Sequence, residues 1–131
     1  SRGLGDVYKR QLLRASDAGR AVFMSSGAGH KADLNPYRSV YAVSKAALDA
    51  LARTYAAETA TTSQVKVMVA SPGPLRTKMR AAVAPGEDPM TLRTPEEFAP
   101  KLVALCSPDW TQTGKLYDFV SDKVRSFKAP E

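Results

Sequence analysis

An α/β fold with a parallel sheet is predicted by three features of the sequence. Arg20–Met24, Val65–Ala70 and Lys115–Val120 are short, mostly apolar runs without polar alternation. That is the pattern of strands covered on both faces. Helical stretches separate them, and the links between elements are short. The first two strands carry hydroxyl- or proline-rich turns at their carboxyl ends, where sheets of this kind bind ligands.

The elements follow in order. Leu12–Ala18 reads as the tail of a helix with Gly19 as its C-terminal cap. Gly27, Gly29 and the polar residues through Asp33 form a loop. Asn35-Pro36 is a helix start, with a capping residue followed by proline at the first position. Nothing breaks that helix before about Ala60, and Tyr41, Lys45, Leu48, Ala52 and Tyr55 share one stripe of it. Tyr37 is expected to pack at its entrance. After the second strand, Ser71-Pro72-Gly73-Pro74 is a turn, and Met79–Arg93 is an irregular flap rich in proline and charge. Thr94-Pro95-Glu96-Glu97 starts the next helix, whose apolar stripe is Phe98, Leu102, Leu105 and Cys106. Thr113-Gly114 turns into the third strand, and residues 121–131 read as a loose tail.

The first eleven residues stand apart, with neither helical nor strand periodicity. Asp6–Gln11 back-translates to GATGTGTATAAGAGACAG, a transposon end used in sequencing libraries. Residues 1–11 are therefore read as an artefactual leader joined to a truncated gene, and the domain is placed at residues 12–120. Setting aside Arg2, Lys9, Arg10 and Asp6 takes 19 basic and 13 acidic residues to 16 and 12, a net of +4 rather than +6. The charges are scattered, with no basic cluster or basic-aromatic interleaving of the kind nucleic acid requires. No apolar run approaches a membrane span, and Cys106 is the only cysteine, so an intrachain disulfide is excluded. A cytoplasmic protein is expected.

Tyr41 and Lys45 carry the chemistry. Four residues apart, they lie one turn apart on one helix face. An ammonium beside a phenol favours the phenolate and makes it able to pass a proton to or from an alcohol. Composition alone gives roughly 0.3 chance pairs of this kind, so the pair needs its context. Ser25 and Ser26 end the preceding strand, although serine often just satisfies a turn. His30, the sole histidine, is expected to be a surface residue and Cys106 a core residue. Glu87, Asp88, Glu96 and Glu97 are read as solvated or capping groups rather than metal ligands.

Together these pieces resemble the short-chain dehydrogenase/reductase family. The matching stretches are Gly19-Arg20-Ala21-Val22-Phe23-Met24-Ser25-Ser26-Gly27-Ala28-Gly29, Tyr41-Ala42-Val43-Ser44-Lys45-Ala46-Ala47-Leu48 and Pro72-Gly73-Pro74-Leu75-Arg76-Thr77. Thr113-Gly114 also fits, and Pro85–Pro89 is similar to a flap of bacterial members. The resemblance implies the carboxyl-terminal part of a Rossmann-type, doubly wound parallel sheet, with three strands alternating with helices. It implies NAD or NADP as cofactor and a small carbonyl or alcohol substrate. Tyr41 would be the general acid/base, Lys45 its partner and a ligand of the nicotinamide ribose, and Ser26 the holder of the substrate oxygen. Pro72, Gly73, Pro74 and Thr77 would wrap the nicotinamide end.

Two departures accompany it. The serine-to-tyrosine spacing of 15 implies a small insertion, and Ser71 stands where the family often has asparagine. The family's glycine-rich turn, its Asn-Asn-Ala-Gly segment and its relay asparagine find no match here. Gly3-Leu4-Gly5 does not fill the first role, because no strand precedes it. A truncated, inactive half of a homo-oligomeric enzyme is expected. The alternative is a non-catalytic partner-binding module that associates through the long alanine-rich helix.

Overall fold

The computed structural model describes residues 2–31 and 36–127. Its elements are α1 (Arg2–Ala15), β1 (Arg20–Met24), α2 (Ser39–Ala60), β2 (Lys66–Ser71), α3 (Lys78–Val83), α4 (Pro95–Leu105), β3 (Lys115–Asp118) and β4 (Lys123–Arg125). The sheet order is β1-β2-β3-β4. The first two pairings are parallel, with Met24 opposite Ala70 and Ser71 opposite Asp118, and β3 and β4 are antiparallel.

Period-two alternation sorts the strand side chains onto two faces. Val67, Val69 and Leu116 join Ala52, Tyr55 and Ala56 of α2 on one side, with Ala21, Phe23 and Leu13 against them. Met68, Ala70 and Tyr117 join Phe98 and Leu105 of α4 on the other, with Phe119. The result is a helix–sheet–helix sandwich with both faces of β2 buried, as the unbroken apolar run requires. β1 has one described neighbour and presents an open edge.

Several expectations are corrected. The sheet has four strands rather than three: β4 occupies part of the expected loose tail, reached through a turn in which Asp122 has φ 51°. Tyr117 donates its hydroxyl to Asp122 Oδ1 at 2.6 Å, and Lys101 Nζ reaches the same carboxylate at 2.9 Å, which fastens this hairpin to α4. Burial, then the hydrogen bond to Asp122, pushes the Tyr117 hydroxyl well above its ordinary pKa. The Tyr117 hydrogen bond, followed by that of Lys101, lowers the Asp122 carboxyl.

The first helix covers Arg2–Ala15, taking in residues 2–11 of the expected leader, and it ends at Ala15 rather than Ala18, ahead of Gly19. Arg10 meets Glu58 at 3.0 Å and lies 5.0 Å above the Tyr55 ring, tying α1 to α2. Helix α2 begins at Ser39 after Tyr37, which adopts φ 63° and is fully exposed instead of packed. The expected cap Asn35 lies outside the described residues. Cys106 is exposed rather than core, because the apolar stripe of α4 ends at Leu105. The start of α4 matches expectation: Thr94 and Glu97 form a reciprocal capping box.

The flap is ordered by side-chain hydrogen bonds within it and from Arg76. Arg76 Nε bonds Pro89 O at 2.8 Å and its Nη2 bonds Leu92 O at 3.1 Å. Arg80 holds Glu87 through two hydrogen bonds of 2.6 and 2.7 Å, and Asp88 caps the turn Pro89–Thr91. The Arg80 hydrogen bond keeps the Glu87 carboxyl below its ordinary value of 4.5. A lowered folded pKa stabilises above the unfolded value, and that stabilisation is lost as pH falls through the folded one. The flap is therefore expected to loosen below about pH 4.5, read as faster amide exchange at Ala84 and Glu87, and Glu87→Gln removes this acid dependence.

Candidate active site

The carboxyl ends of β1 and β2 form the edge on which the candidate residues meet. β1 stops at Met24, and Ser25 continues the pairing by donating its amide to Ala70 O at 2.8 Å. The Ser25 side chain is buried with no hydrogen-bond partner among the described residues. Ser26 ends the extended run and caps the one-turn 3₁₀ helix Gly27–Gly29, its Oγ accepting from Ala28 N at 3.4 Å. Because that oxygen accepts, the Ser26 O–H stays available as a donor.

Helix α2 brings Tyr41 and Lys45 to this edge. Lys45 Nζ donates to Met24 O at 3.1 Å and stands 5.8 Å from the centre of the Tyr41 ring. Tyr41 is 44% exposed. It borders a depression of about 490 Å³ lined also by Tyr37, Arg38, Val40 and Ser44. The helical stripe continues inward from this pair: Leu48 is half-buried, and Ala52 and Tyr55 are core.

The Pro72–Thr77 segment leaves the neighbouring strand β2 at the same edge. Gly73 has φ 72°, a conformation that favours glycine, and its open side faces the Val120 side chain. Pro74 is exposed. Thr77 is committed to capping α3, its Oγ accepting from Arg80 N at 3.1 Å. The structure thus joins Lys45 to the strand end at Met24, with Tyr41 beside Lys45 and Ser26 two residues beyond Met24. It places Pro72, Gly73 and Pro74 on the adjacent strand end and Thr77 at the following helix.

One expectation is overturned here. His30 is not a surface residue: its side chain is 15% exposed and its Nδ1 lies 3.2 Å from Oδ2 of Asp49, a carboxylate 6% exposed. Sequence reasoning also passed over Asp49. A signal was present, since an acidic residue four positions after Lys45, beside Ala52, falls on the buried stripe.

The family model of the short chain dehydrogenases matches residues 7–88. The chain belongs to that family. Among its relatives, the uncharacterized oxidoreductase YciK of Escherichia coli K12 is 37% identical over 108 residues, which are 82% of this chain and 41% of YciK. A short chain dehydrogenase from Salmonella enterica serovar Typhi CT18 superposes with a TM-score of 0.76 at 37% identity, over 83% of this chain and 44% of that one. One from Escherichia coli CFT073, complexed with NADPH, gives 0.75 at 36% over 83% and 44%. One from Shigella flexneri 2a, complexed with NADP, gives 0.74 at 35% over 84% and 45%. The chain spans less than half the length of these relatives.

Proposed function

We propose that this chain is the carboxyl-terminal part of an NAD(P)-dependent oxidoreductase acting reversibly on a carbonyl or alcohol group of a small molecule. The observation that carries this reading is the Lys45 contact with Met24 O, which sets an ammonium beside Tyr41 at the carboxyl edge of the sheet. NADP and NADPH in the Shigella and Escherichia coli relatives support the cofactor class.

The residues fit a dinucleotide's nicotinamide end. An ammonium has three donors, and Lys45 directs one to Met24 O, leaving two for ribose hydroxyls. Pro72, Gly73 and Pro74 would border the nicotinamide, with Thr77 toward the phosphates. The nicotinamide, when bound, supplies or accepts the hydride. Tyr41 gives the matching proton to the substrate oxygen, or takes it from the alcohol in the reverse direction. Ser26 donates its O–H to that oxygen and stabilises the charge that develops on it. Lys45 stabilises the phenolate left when Tyr41 gives up its proton.

The glycine-rich turn and relay asparagine implied by the resemblance are absent from the sequence, and the edge of β1 is open. Residues 1–131 alone are therefore expected to be inactive, poorly soluble and weak in NADPH binding. A fluorescence titration of this chain should give a Kd weaker than about 1 mM. Submicromolar binding would overturn the view that a further part of the cleft is needed.

Val40, Val43 and Leu51 of α2 are all more than half exposed. They favour association with a second copy, which is compatible with catalysis and makes a purely partner-binding role unnecessary.

A further inference from the structure

We propose that His30 and Asp49 are positioning residues that dock the Ser26 turn onto α2 and so fix Ser26 relative to Tyr41 and Lys45; this rests on the oxidoreductase reading above. The linkage is continuous. Ser26 opens the 3₁₀ turn, its carbonyl accepting from Gly29 N at 2.9 Å, and His30 closes it, donating its amide to Gly27 O at 3.3 Å. The His30 ring then reaches Asp49 Oδ2 at 3.2 Å. Asp49 stands one helical turn after Lys45 and two after Tyr41 on the same helix.

The approach between turn and helix is close. A Cβ at Gly29 would lie 2.7 Å from the Lys45 carbonyl carbon and 2.9 Å from both Lys45 O and Asp49 Oδ2. Only glycine lets the two backbones meet at this distance. Phe127 packs edge-on against His30, with ring centres 6.5 Å apart at 89°, and Arg53 of α2 lies 5.2 Å above that same ring. The pair is thus covered from the far end of the chain.

Burial gives the bond its leverage. Asp49 is buried, and its Oδ1 has no hydrogen-bond partner among the described residues. A buried carboxylate with a single partner depends on that partner, because removing it leaves an uncompensated polar group. A bond from the ring to the Asp49 carboxylate requires the His30 proton on Nδ1, which in the neutral ring leaves Nε2 an acceptor. Displacing a catalytic group by about 1 Å can cost on the order of a hundredfold in rate, which is the upper end of the effect expected when this link is cut.

His30 is the only histidine, so its imidazole nitrogens give unique NMR signals. In the 131-residue chain labelled with ¹⁵N-histidine, the Nδ1–H form should dominate, and Asp49→Ala should abolish that preference. Identical tautomer populations in the two proteins would contradict the proposal. In the longer protein proposed above, Asp49→Ala should lower kcat ten- to a hundredfold with the NADPH Kd changed less than twofold. Asp49→Asn, whose amide oxygen accepts the same bond, should restore most of kcat. Native kcat in Asp49→Ala, or no rescue by Asn, overturns the positioning role. Unchanged exchange of β2 amides serves as the folding control, and His30→Gln is the second variant. If the unsubstituted longer protein shows no turnover with any carbonyl compound, the oxidoreductase reading fails instead. The docking is then judged by the Gly29 and Lys31 amides: faster exchange in Asp49→Ala supports it, and unchanged exchange refutes it.

Discussion

Replacing Tyr41 with phenylalanine in the proposed longer protein is expected to lower kcat by about 10²–10⁴-fold while leaving NADPH affinity within a few-fold of its starting value. The substitution removes one oxygen and keeps the ring that stands 5.8 Å from Lys45 Nζ. Tyr41 is 44% exposed, so its truncation opens no cavity and the fold should not respond. A loss of turnover without a change in melting temperature separates the proton-transfer role from a packing role. Full turnover in Tyr41→Phe would remove the group on which the mechanism depends.

Phe98→Ala is expected to destabilise the chain by about 3–5 kcal/mol, a large part of the stability of an ordinary domain. Phe98 is 4% exposed and meets Phe119 edge-on, with centroids 5.1 Å apart. Phe119 donates its amide to Ser71 O at 3.0 Å, and its carbonyl accepts from Arg93 Nη1 at 2.9 Å. The next residue, Val120, lies against Gly73. The cavity would therefore open beneath the Pro72–Gly73 turn as well as between α4 and the sheet. Urea unfolding should show a lower midpoint with an unchanged slope. A shift smaller than about 1 kcal/mol would mean that the α4 layer contributes far less than its burial indicates.

Much of this architecture was legible because it rests on local rules. Apolar runs marked three strands, the Thr94–Glu97 box marked α4, and the Tyr41–Tyr55 stripe marked the inward face of α2. What escaped the sequence depends on contacts far along the chain. β4 is three residues long, with only Val124 apolar, and exists because β3 offers it an edge. The flap looked irregular because Arg76, bonding residues 13 and 16 positions away, supplies its order. α1 was missed upstream of Leu12 because Gly3 and Gly5 weaken the local signal, while Arg10 gains partners 45 and 48 positions later, at Tyr55 and Glu58.

The site divides in the same way. Tyr41 and Lys45 could be placed on one helix face from their spacing, and the strand end could be placed beside them from topology. His30 looked like a surface residue because the loop around it is polar. Only the fold shows that Gly29 lets the turn settle against Lys45 and bring the ring to Asp49. An isolated histidine is ambiguous in a sequence, whereas an acidic residue on a buried helical stripe is a sharper sign that something must meet it.

The central claim is that Tyr41, Lys45 and Ser26 form one side of a hydride-transfer site. Its most direct test uses NADPH deuterated at nicotinamide C4, on the face that the longer protein uses, with a panel of aldehydes and ketones. The account predicts one deuterium on the carbinol carbon of the alcohol product, with solvent supplying the hydroxyl hydrogen and Tyr41→Phe suppressing the label. A product whose carbinol carbon carries hydrogen from solvent, or labelling that persists at the full rate in Tyr41→Phe, would contradict it.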